Sequence, residues 1–377
     1  MLTDLCDTYF RLCALVVKEF YQIIRDPSSI LISVVLPILL LFLYGFGVSL
    51  DLNHLRIGLV LEDTSPTAIS FAESITNSPF FDVRIGRDRR EMTDLIEKGE
   101  LRGFVVIPSY FTQFMKSGRV TPVQVIADGS ETNTASFVQN YIQGAYQNWQ
   151  QQRAVAERIP STTLVKTTSR FWYNEELVSR YFLMPGSLAI IMTLIGTLLT
   201  ALVVSREWER GTMESLLATP VTKSELIFGK LIPYFMLGMV SMTINVVVCI
   251  VFYGLPLRGS LIVLYLVSSA FLFCALSFGL MISTMAKNQI VASQAAIVAG
   301  FLPSYMLSGF LFEITSMPLV IQWFTYIIPA KYFVQTLQTL FLVGNVWELI
   351  IWNTLAMLGI GMVFFIITYR KTVKRLE

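Results

Sequence analysis

The sequence has few charged residues for its length. Asp, Glu, Lys and Arg make up 14% of its 377 residues, whereas a soluble domain has about 25%. Hydrophobic residues make up 54%, and the mean hydropathy is +0.62. This composition predicts a membrane protein. The net charge is only +2, so bulk electrostatics give no reason to expect a nucleic-acid partner.

Histidine and cysteine are also scarce. His54 is the single histidine, and we interpret it as an exposed polar residue at the mouth of a span. All four cysteines fall outside residues 51–179, so no intrachain disulfide can staple that stretch. Without a cluster of histidine and cysteine, the sequence predicts no metal site. The cysteines are Cys6, Cys13, Cys249 and Cys274.

A loop for binding ATP phosphates is missing as well. The pattern G-x-x-x-x-G-K-[ST] does not occur, and Gly229-Lys230 is followed by Leu231 at the start of an apolar run. The chain therefore cannot bind and hydrolyse ATP in the Walker manner. A Ser-His-Asp triad would require His54, which no motif supports. We predict no catalytic residue and no enzyme activity in this chain.

Six apolar runs are long enough to cross a bilayer. Each has roughly the 20 residues that a hydrocarbon core of about 30 Å requires. Before them, residues 1–29 contain an amphipathic stretch that predicts a helix lying in the membrane interface, ended by Arg25-Asp26-Pro27. The predicted spans are residues 30–50, 181–204, 226–253, 259–284, 289–312 and 347–369.

Lysine and arginine predict the orientation of these spans. With the N-terminus in the cytoplasm, the short outer loops contain only Arg258 and Lys331. The cytoplasmic segments are richer in basic residues, including the tail 370–375, as the positive-inside rule requires. Six spans then return the C-terminus to the cytoplasm. Residues 51–179 are predicted to lie outside it.

Residues 51–179 have the composition of a soluble domain. They contain 15 of the 26 acidic and 13 of the 28 basic residues. Strand and helix patterns alternate, which predicts an inserted α/β domain with a mainly parallel or mixed sheet. A last extended segment, residues 164–173, leads back to the membrane. Strands are predicted at 55–61, 81–85, 103–107 and 123–127, and helices at 66–76, 89–98, 109–116 and 132–158.

Residues 313–346 are too apolar for a free loop and too interrupted for a span. Aromatic residues are concentrated between 323 and 333, and Pro318 and Pro329 interrupt the stretch. Non-helical backbone is costly in hydrocarbon, and aromatic residues favour the membrane interface. We predict interfacial or re-entrant helices here, anchored by an aromatic belt.

A charged segment joins the second and third spans. Residues 205–230 read SREWERGTMESLLATPVTKSELIFGK, and so many charges are too costly for the hydrocarbon core. The pattern from Glu207 to Pro220 resembles the cytoplasmic coupling region of ABC-2-type transporter permeases. Residues 303–333 resemble the segment before the last span in the same family. The resemblance covers nearly the whole chain and implies the ABC-2 exporter transmembrane fold.

This resemblance implies a coupling helix at residues 206–218 that docks into a groove on a separate ATP-hydrolysing subunit. Its charged residues would make polar contacts with that subunit, and its two leucines would fill a hydrophobic groove. Gly211 would allow a turn or a close approach. The matching residues are Arg206, Glu207, Glu209, Arg210, Gly211, Thr212, Glu214, Leu216 and Leu217.

The resemblance also implies the rest of an assembly. The partner ATPase would bind ATP and Mg, so this chain needs no cofactor of its own. A second permease chain, identical or different, would complete the pathway, and a periplasmic adaptor protein is a further expected partner. The family implies a bacterial inner-membrane protein, surrounded by lipids, that moves drugs or other amphipathic compounds out of the cytoplasm or inner membrane.

The transport route is harder to predict. Polar residues inside spans are candidates, although serine and threonine also bond their own helix, and packing is the alternative role. Glu313, at the outer end of the fifth span, is a candidate outer gate or a merely hydrated residue. The candidate path residues are Thr193, Thr197, Asn245, Gln294, Tyr305 and Met306.

Two other classes of function stay open at this point. An ion-coupled secondary transporter usually has charged residues or broken helices at mid-membrane, and we expect these spans to lack buried Asp or Glu. A membrane-anchored sensor or scaffold would detect ligands through residues 51–179. Such a protein would not need the charged segment after the second span.

Overall fold

The structure, a computed structural model, describes residues 2–47, 55–78, 80–117, 123–129, 132–156, 179–286 and 288–372. The chain divides into two compact units. One unit comprises Met1–Ser49 and Phe171–Glu377, and the other comprises Leu50–Arg170. Each unit has a hydrophobic core of its own.

Six helices of the first unit, within the described residues, are long and apolar enough to cross a membrane, which confirms the predicted number of spans. The third begins earlier than predicted because Thr222 and Glu225 form a capping box. The fifth ends earlier because the backbone turns at Gly309, where φ is +85°. The spans are Pro27–Phe46, Arg180–Glu209, Lys223–Phe252, Leu261–Ala286, Gln289–Leu307 and Trp347–Lys371.

The second span is mostly buried, and the fourth span packs closely on it. A Cβ atom added to Gly279 would lie 2.3 Å from the carbonyl oxygen of Thr197. The missing side chain is therefore what allows the two backbones to approach. At the same contact, the Thr200 hydroxyl donates to the carbonyl oxygen of Leu276 at 3.0 Å. Small residues commonly serve this purpose between membrane helices.

The N-terminal helix, Leu2–Arg25, precedes the first span. Its apolar residues Phe10 and Phe20 are exposed, whereas Glu19 is buried against the rest of the unit. This arrangement is the reverse of a soluble amphipathic helix, and it suits a helix whose outer face meets lipid. The helix ends at Asp26, whose side chain caps the start of the first span.

The second unit is a small α/β domain, as predicted. Its strand order is β2-β1-β3-β4, with β1 parallel to β2 and β3, and β4 antiparallel to β3. The strands β1 to β4 are Leu55–Leu61, Phe81–Gly86, Gly103–Ile107 and Gln124–Ala127. The helices α1 to α4 are Pro66–Thr76, Arg89–Glu97, Phe111–Lys116 and Thr132–Ala156. The predicted extended segment 164–173 lies outside the described residues.

Helices cover both faces of this sheet. Ile57 and Leu59 of β1 pack with Phe71 of α1 in one core cluster. Val60, whose side chain points to the opposite face, packs with Met92 of α2 in another. A central strand that is buried on both faces needs a nearly continuous apolar sequence. This requirement explains the apolar runs of β1 and β3.

A short 3-10 helix, Ile314–Ser316, and two α-helices, Leu319–Thr325 and Pro329–Leu342, occupy the stretch between the fifth and sixth spans. The first α-helix exposes Trp323, of which 74% is accessible. The second packs Phe333 against Phe271 of the fourth span, with ring centroids 4.0 Å apart. An exposed apolar helix therefore lies beside a buried one, and the interfacial or re-entrant placement of residues 313–346 stays a prediction.

Candidate functional site

The charged segment between the second and third spans forms a turn and a short helix. The second span continues to Glu209, so the predicted coupling helix 206–218 is divided in two. Gly211 then adopts φ +67°, a conformation that residues with a side chain rarely hold. The short helix, Thr212–Leu217, follows directly.

Met213 anchors the short helix to the membrane unit. Its side chain is 3% exposed. Met213 was not among the predicted site residues, although an apolar side chain between polar ones is the usual signal of a buried face. The anchoring cluster consists of Val204, Met213, Leu226, Ile227 and Leu280, with Leu216 packed partly against it.

The outer side of the turn and short helix is polar. Arg210, Thr212 and Glu214 are exposed. The side chain of Leu217 lies outside the described residues. Arg210 and Glu214 are therefore the predicted coupling charges that face away from the chain and that a partner subunit can reach.

Glu207 points inward instead. Its side chain is 3% exposed, and one carboxylate oxygen accepts from Nζ of Lys18 at 2.6 Å and from Nζ of Lys230 at 3.3 Å. The Thr212 hydroxyl donates to the other oxygen. Two lysines of the same chain therefore hold the charge of Glu207, and its expected contact with an ATPase stays a prediction.

Arg206 also faces inward, where it pairs with Asp26 at the start of the first span. Arg206 is 6% exposed. Partial burial raises the pKa of Asp26, but hydrogen bonds from Ser29, Ser28 and Arg206, together with the Arg206 charge, outweigh it and lower the pKa to about 2. Arg206 thus ties two spans of its own chain together, and its expected contact with a partner stays a prediction.

Glu209 reaches the start of the fifth span. Its carboxylate accepts the backbone N–H of Gln289 at 2.8 Å and also the side-chain amide of Gln289. Asn288 caps the same helix by accepting the backbone N–H of Ile290 at 2.9 Å. A negative charge is favourable at a helix N-terminus. The turn after the second span is therefore bonded to the fifth span.

Two buried charges lie near the start of the third span. Glu225 and Lys230 of the third span are 4% and 3% exposed. Glu225 accepts from Nη2 of Arg11 at 3.0 Å, so the N-terminal helix supplies its partner. Both residues lie near the start of the span and are paired within the chain. They do not provide the mid-membrane charge that is typical of an ion-coupled transporter.

The structure places the predicted path residues in two different environments. Thr193 and Thr197 are buried and each donates at 2.8 Å to a carbonyl oxygen of its own helix. Asn245 is buried and donates to the carbonyl oxygen of Ser241 at 2.8 Å. These bonds are those expected of packing residues. Gln294, Met306 and Glu313 are exposed, and Tyr305 is half-buried.

Six membrane-spanning helices, an inserted α/β domain and an anchored polar turn at one end of the spans define a multi-pass transporter permease. The chain belongs to the ABC-2 family of transporters, because the profile described as "ABC-2 family transporter protein" matches residues 27–370.

Curated relatives agree with this assignment. The chain is 49% identical, over 97% of its length and 98% of the relative, to "Probable multidrug ABC transporter permease YbhS" of Escherichia coli (strain K12). It is 28% identical to "Probable multidrug ABC transporter permease YbhR" of the same organism, over 92% of this chain and 94% of the relative. "ABC transporter G family member 20" of Dictyostelium discoideum is 23% identical over 87% of this chain and 45% of its own length.

Family membership confirms the predicted fold class and favours one of the three functions left open. The chain is the permease subunit of an ABC transporter, and it is a multi-pass inner-membrane protein. An ABC ATPase is the partner that this family implies, so ATP hydrolysis belongs to a separate subunit. The ion-coupled transporter and the membrane-anchored sensor are not supported.

Proposed function

We propose that the chain is the membrane-spanning subunit of an exporter that moves drugs or other amphipathic compounds out of the cytoplasm or inner membrane. The names of the relatives YbhS and YbhR support this substrate class. Partner ATPase subunits bind the ATP and Mg, and this chain holds no cofactor. Membership of the ABC-2 family supports the assignment of ATP binding to a separate subunit.

The observation that carries the proposal is the anchored short helix. Met213 is buried in the core of the chain, while Arg210 and Glu214 face outward on the same segment. A polar surface that is firmly attached to two spans is what a motor subunit needs in order to move them. Arg210 and Glu214 make the polar contacts with the ATPase, and Leu216 and Leu217 fill its groove.

Removing the two outward charges tests this contact. The double variant Arg210→Gln and Glu214→Gln should capture about tenfold less ATPase, because losing a contact worth about 1.4 kcal/mol weakens binding tenfold. Arg370→Gln is the matched control, since Arg370 is exposed at the end of the sixth span. Unchanged ATPase capture together with unchanged ethidium efflux in the double variant would refute the assignment.

The proposed orientation puts both termini and the short helix in the cytoplasm and residues 51–179 in the periplasm. The distribution of lysine and arginine supports it. Single cysteines at the exposed positions Glu214 and Arg90, in a chain whose own four cysteines are replaced, test it directly. A membrane-impermeant maleimide should label only Arg90→Cys in cells with a permeable outer membrane. Labelling of Glu214→Cys instead would reverse the topology.

We further propose that a second permease chain completes the pathway, and that a periplasmic adaptor meets residues 51–179. Apolar side chains remain exposed along the fifth span, among them Ile290 and Val298 at 66% and 62%, which supports a lipid or protein neighbour there. Co-purification of two differently tagged copies would identify a homodimer, whereas capture of a sister chain alone would identify a heterodimer. The path residues Thr193, Thr197, Asn245, Gln294, Tyr305 and Met306 and the outer residue Glu313 stay predictions.

A further inference from the structure

Four charged side chains at the polar end of the spans form a closed ring of ion pairs. Lys18 contacts Glu207 at 2.6 Å and Glu19 at 3.1 Å. Lys230 contacts Glu19 at 2.8 Å and Glu207 at 3.3 Å. Each charge therefore touches two opposite charges, and the formal charge of the ring is zero.

The ring is largely shielded from water. The side chains of Glu19, Glu207 and Lys230 are 2%, 3% and 3% exposed, and only Lys18 is partly accessible at 42%. Burying ions costs free energy that their attraction returns only when the geometry is good and further hydrogen bonds are present. A buried ring is thus weak support for stability as such, and a role in fixing the relative positions of its helices explains it better.

The members of the ring come from three elements. Lys18 and Glu19 belong to the N-terminal helix, Lys230 belongs to the third span, and Glu207 belongs to the end of the second span. Glu207 is the member that accepts from the hydroxyl of Thr212, the first residue of the short helix. The short helix is therefore joined to the ring through one side chain.

An ion pair outside the ring also joins the N-terminal helix to the third span. Arg11 of the N-terminal helix pairs with Glu225 of the third span at 3.0 Å. These two elements are therefore held together at two levels, through Arg11 and through the ring. A displacement of Glu207 acts on both elements at once.

We propose that Glu207 is a positioning residue that transmits displacement of the short helix to the N-terminal helix and the third span. This inference rests on the proposed function, in which an ATPase moves the short helix. The hydrogen bond from Thr212 couples the short helix to the Glu207 carboxylate. The ion pairs with Lys18 and Lys230 couple this carboxylate to the N-terminal helix and the third span. Glu207 itself does not touch the ATPase, so its loss uncouples the movement and leaves ATPase binding intact.

Site-specific fluorescence on the intact complex of permease and ATPase tests the inference without any transported compound. A bimane fluorophore is attached to a single cysteine at Phe20 of the N-terminal helix, which is 47% exposed, or at the exposed Ser215 of the short helix, which is not among the proposed ATPase contacts. ATP with vanadate is then added. Both positions should change emission in the otherwise native chain.

Variants at Thr212 and Glu207 then separate transmission from folding. Thr212→Val and Glu207→Gln should each lose at least half of the emission change at position 20 and keep the change at position 215. Thr212→Ser, which restores the hydroxyl, should recover the signal at position 20. Arg11→Gln is the matched control, because it breaks an ion pair between the same elements outside the ring.

The possible results are distinguishable. No change at position 215 in the otherwise native chain would refute the proposed function, because the ATPase would not move the short helix. A change at position 215 with none at position 20, or an undiminished change at position 20 in Thr212→Val and Glu207→Gln, would overturn the role of Glu207 alone. An equal loss of the emission change at position 20 in Arg11→Gln would also overturn this role. Any ion pair between these two elements would then matter as much as the ring does.

Discussion

Nη1 of Arg206 lies 2.5 Å from Oδ2 of Asp26, although 180 residues separate the two in sequence. Their side chains are 7% and 18% exposed, so water screens the pair only weakly. Asp26 also accepts from the backbone N–H of Ser28 at 3.3 Å and from the hydroxyl of Ser29 at 2.6 Å. One carboxylate thus caps the first span and holds the end of the second.

This carboxylate should make stability depend on pH. The folded pKa of Asp26 is about 2, below its ordinary value of about 3.9, so its stabilisation is present above about pH 4 and is lost as the pH falls towards 2. The free energy involved is roughly 2 kcal/mol. Asp26→Asn should therefore unfold at a lower temperature than the native chain at pH 7 in detergent.

The difference between the two proteins, rather than either melting temperature alone, isolates Asp26 from the other carboxylates. It should be constant from pH 7 to about pH 5 and shrink steadily below pH 4. A difference that stays the same down to pH 3 would contradict the assignment of the low pKa to this residue.

Gly279 offers a second test, of the contact between the second and fourth spans. A methyl group there would meet the hydroxyl oxygen of Thr200 and the carbonyl oxygen of Thr197, the latter at 2.3 Å. The helices must separate to admit it, so Gly279→Ala should destabilise the protein by about 3 kcal/mol. Thermal unfolding in detergent measures the loss.

Gly359 of the sixth span provides the matched control for that substitution. A Cβ atom there meets nothing within 4 Å, and alanine favours a helix by up to about 1 kcal/mol over glycine. Gly359→Ala should therefore be neutral or slightly stabilising. Equal effects at positions 279 and 359 would show that close backbone approach is not what limits the first position.

The sequence predicted the elements well because their signals are local. The apolar run of Gly103–Ile107 predicted a buried strand, and the long apolar runs predicted the six spans. Each depends only on neighbouring residues and a repeat of two or about 3.6. The mainly parallel or mixed sheet was also predicted, because alternating strands and helices favour parallel pairing, whereas the order of the strands came from the structure.

Whether each charged side chain of the coupling segment faces inward or outward was not predictable in the same way. Glu207 and Glu214 look alike in sequence, yet one is buried and the other exposed. The difference arises because Lys18 lies 189 residues from Glu207 in the chain and still binds it. A partner so distant in the sequence cannot be predicted from local patterns. Lys230 was the available clue, since a charge inside an apolar run needs a counter-charge nearby.

Substitutions at Gly211 test whether backbone conformation sets the position of the short helix. Its φ of +67° is left-handed, and a Cβ atom there would meet nothing within 4 Å. A substitution therefore introduces conformational strain and no steric clash. Valine should cost about 1–2 kcal/mol or more, whereas asparagine tolerates this region far better.

The two variants should differ in function accordingly. Gly211→Val should reduce ATPase capture by roughly tenfold, in line with about 1.4 kcal/mol, and Gly211→Asn should remain close to the native chain. Capture that falls equally in both would mean that any side chain at this position obstructs the partner, and that the left-handed backbone is not the reason for glycine.

Asp63 should hold the α/β domain together at the end of β1. It is 8% exposed, and its two oxygens accept the backbone N–H groups of Ser65 at 2.9 Å and Thr112 at 3.0 Å. Burial raises its pKa, but hydrogen bonds from Thr112 and Ser65 lower the pKa overall. The carboxylate therefore ties the start of α1 to the start of α3.

Removing this carboxylate leaves two backbone donors without their acceptor, which should cost about 2–4 kcal/mol. Asp63→Ala should thus lower the hydrogen-exchange protection of β1 and β3 by about 30-fold or more in the full-length chain. Asp94→Ala is the control, since Asp94 is exposed on α2 of the same domain. Protection that is unchanged in Asp63→Ala, or lowered equally in both variants, would mean that the strands do not depend on this connection.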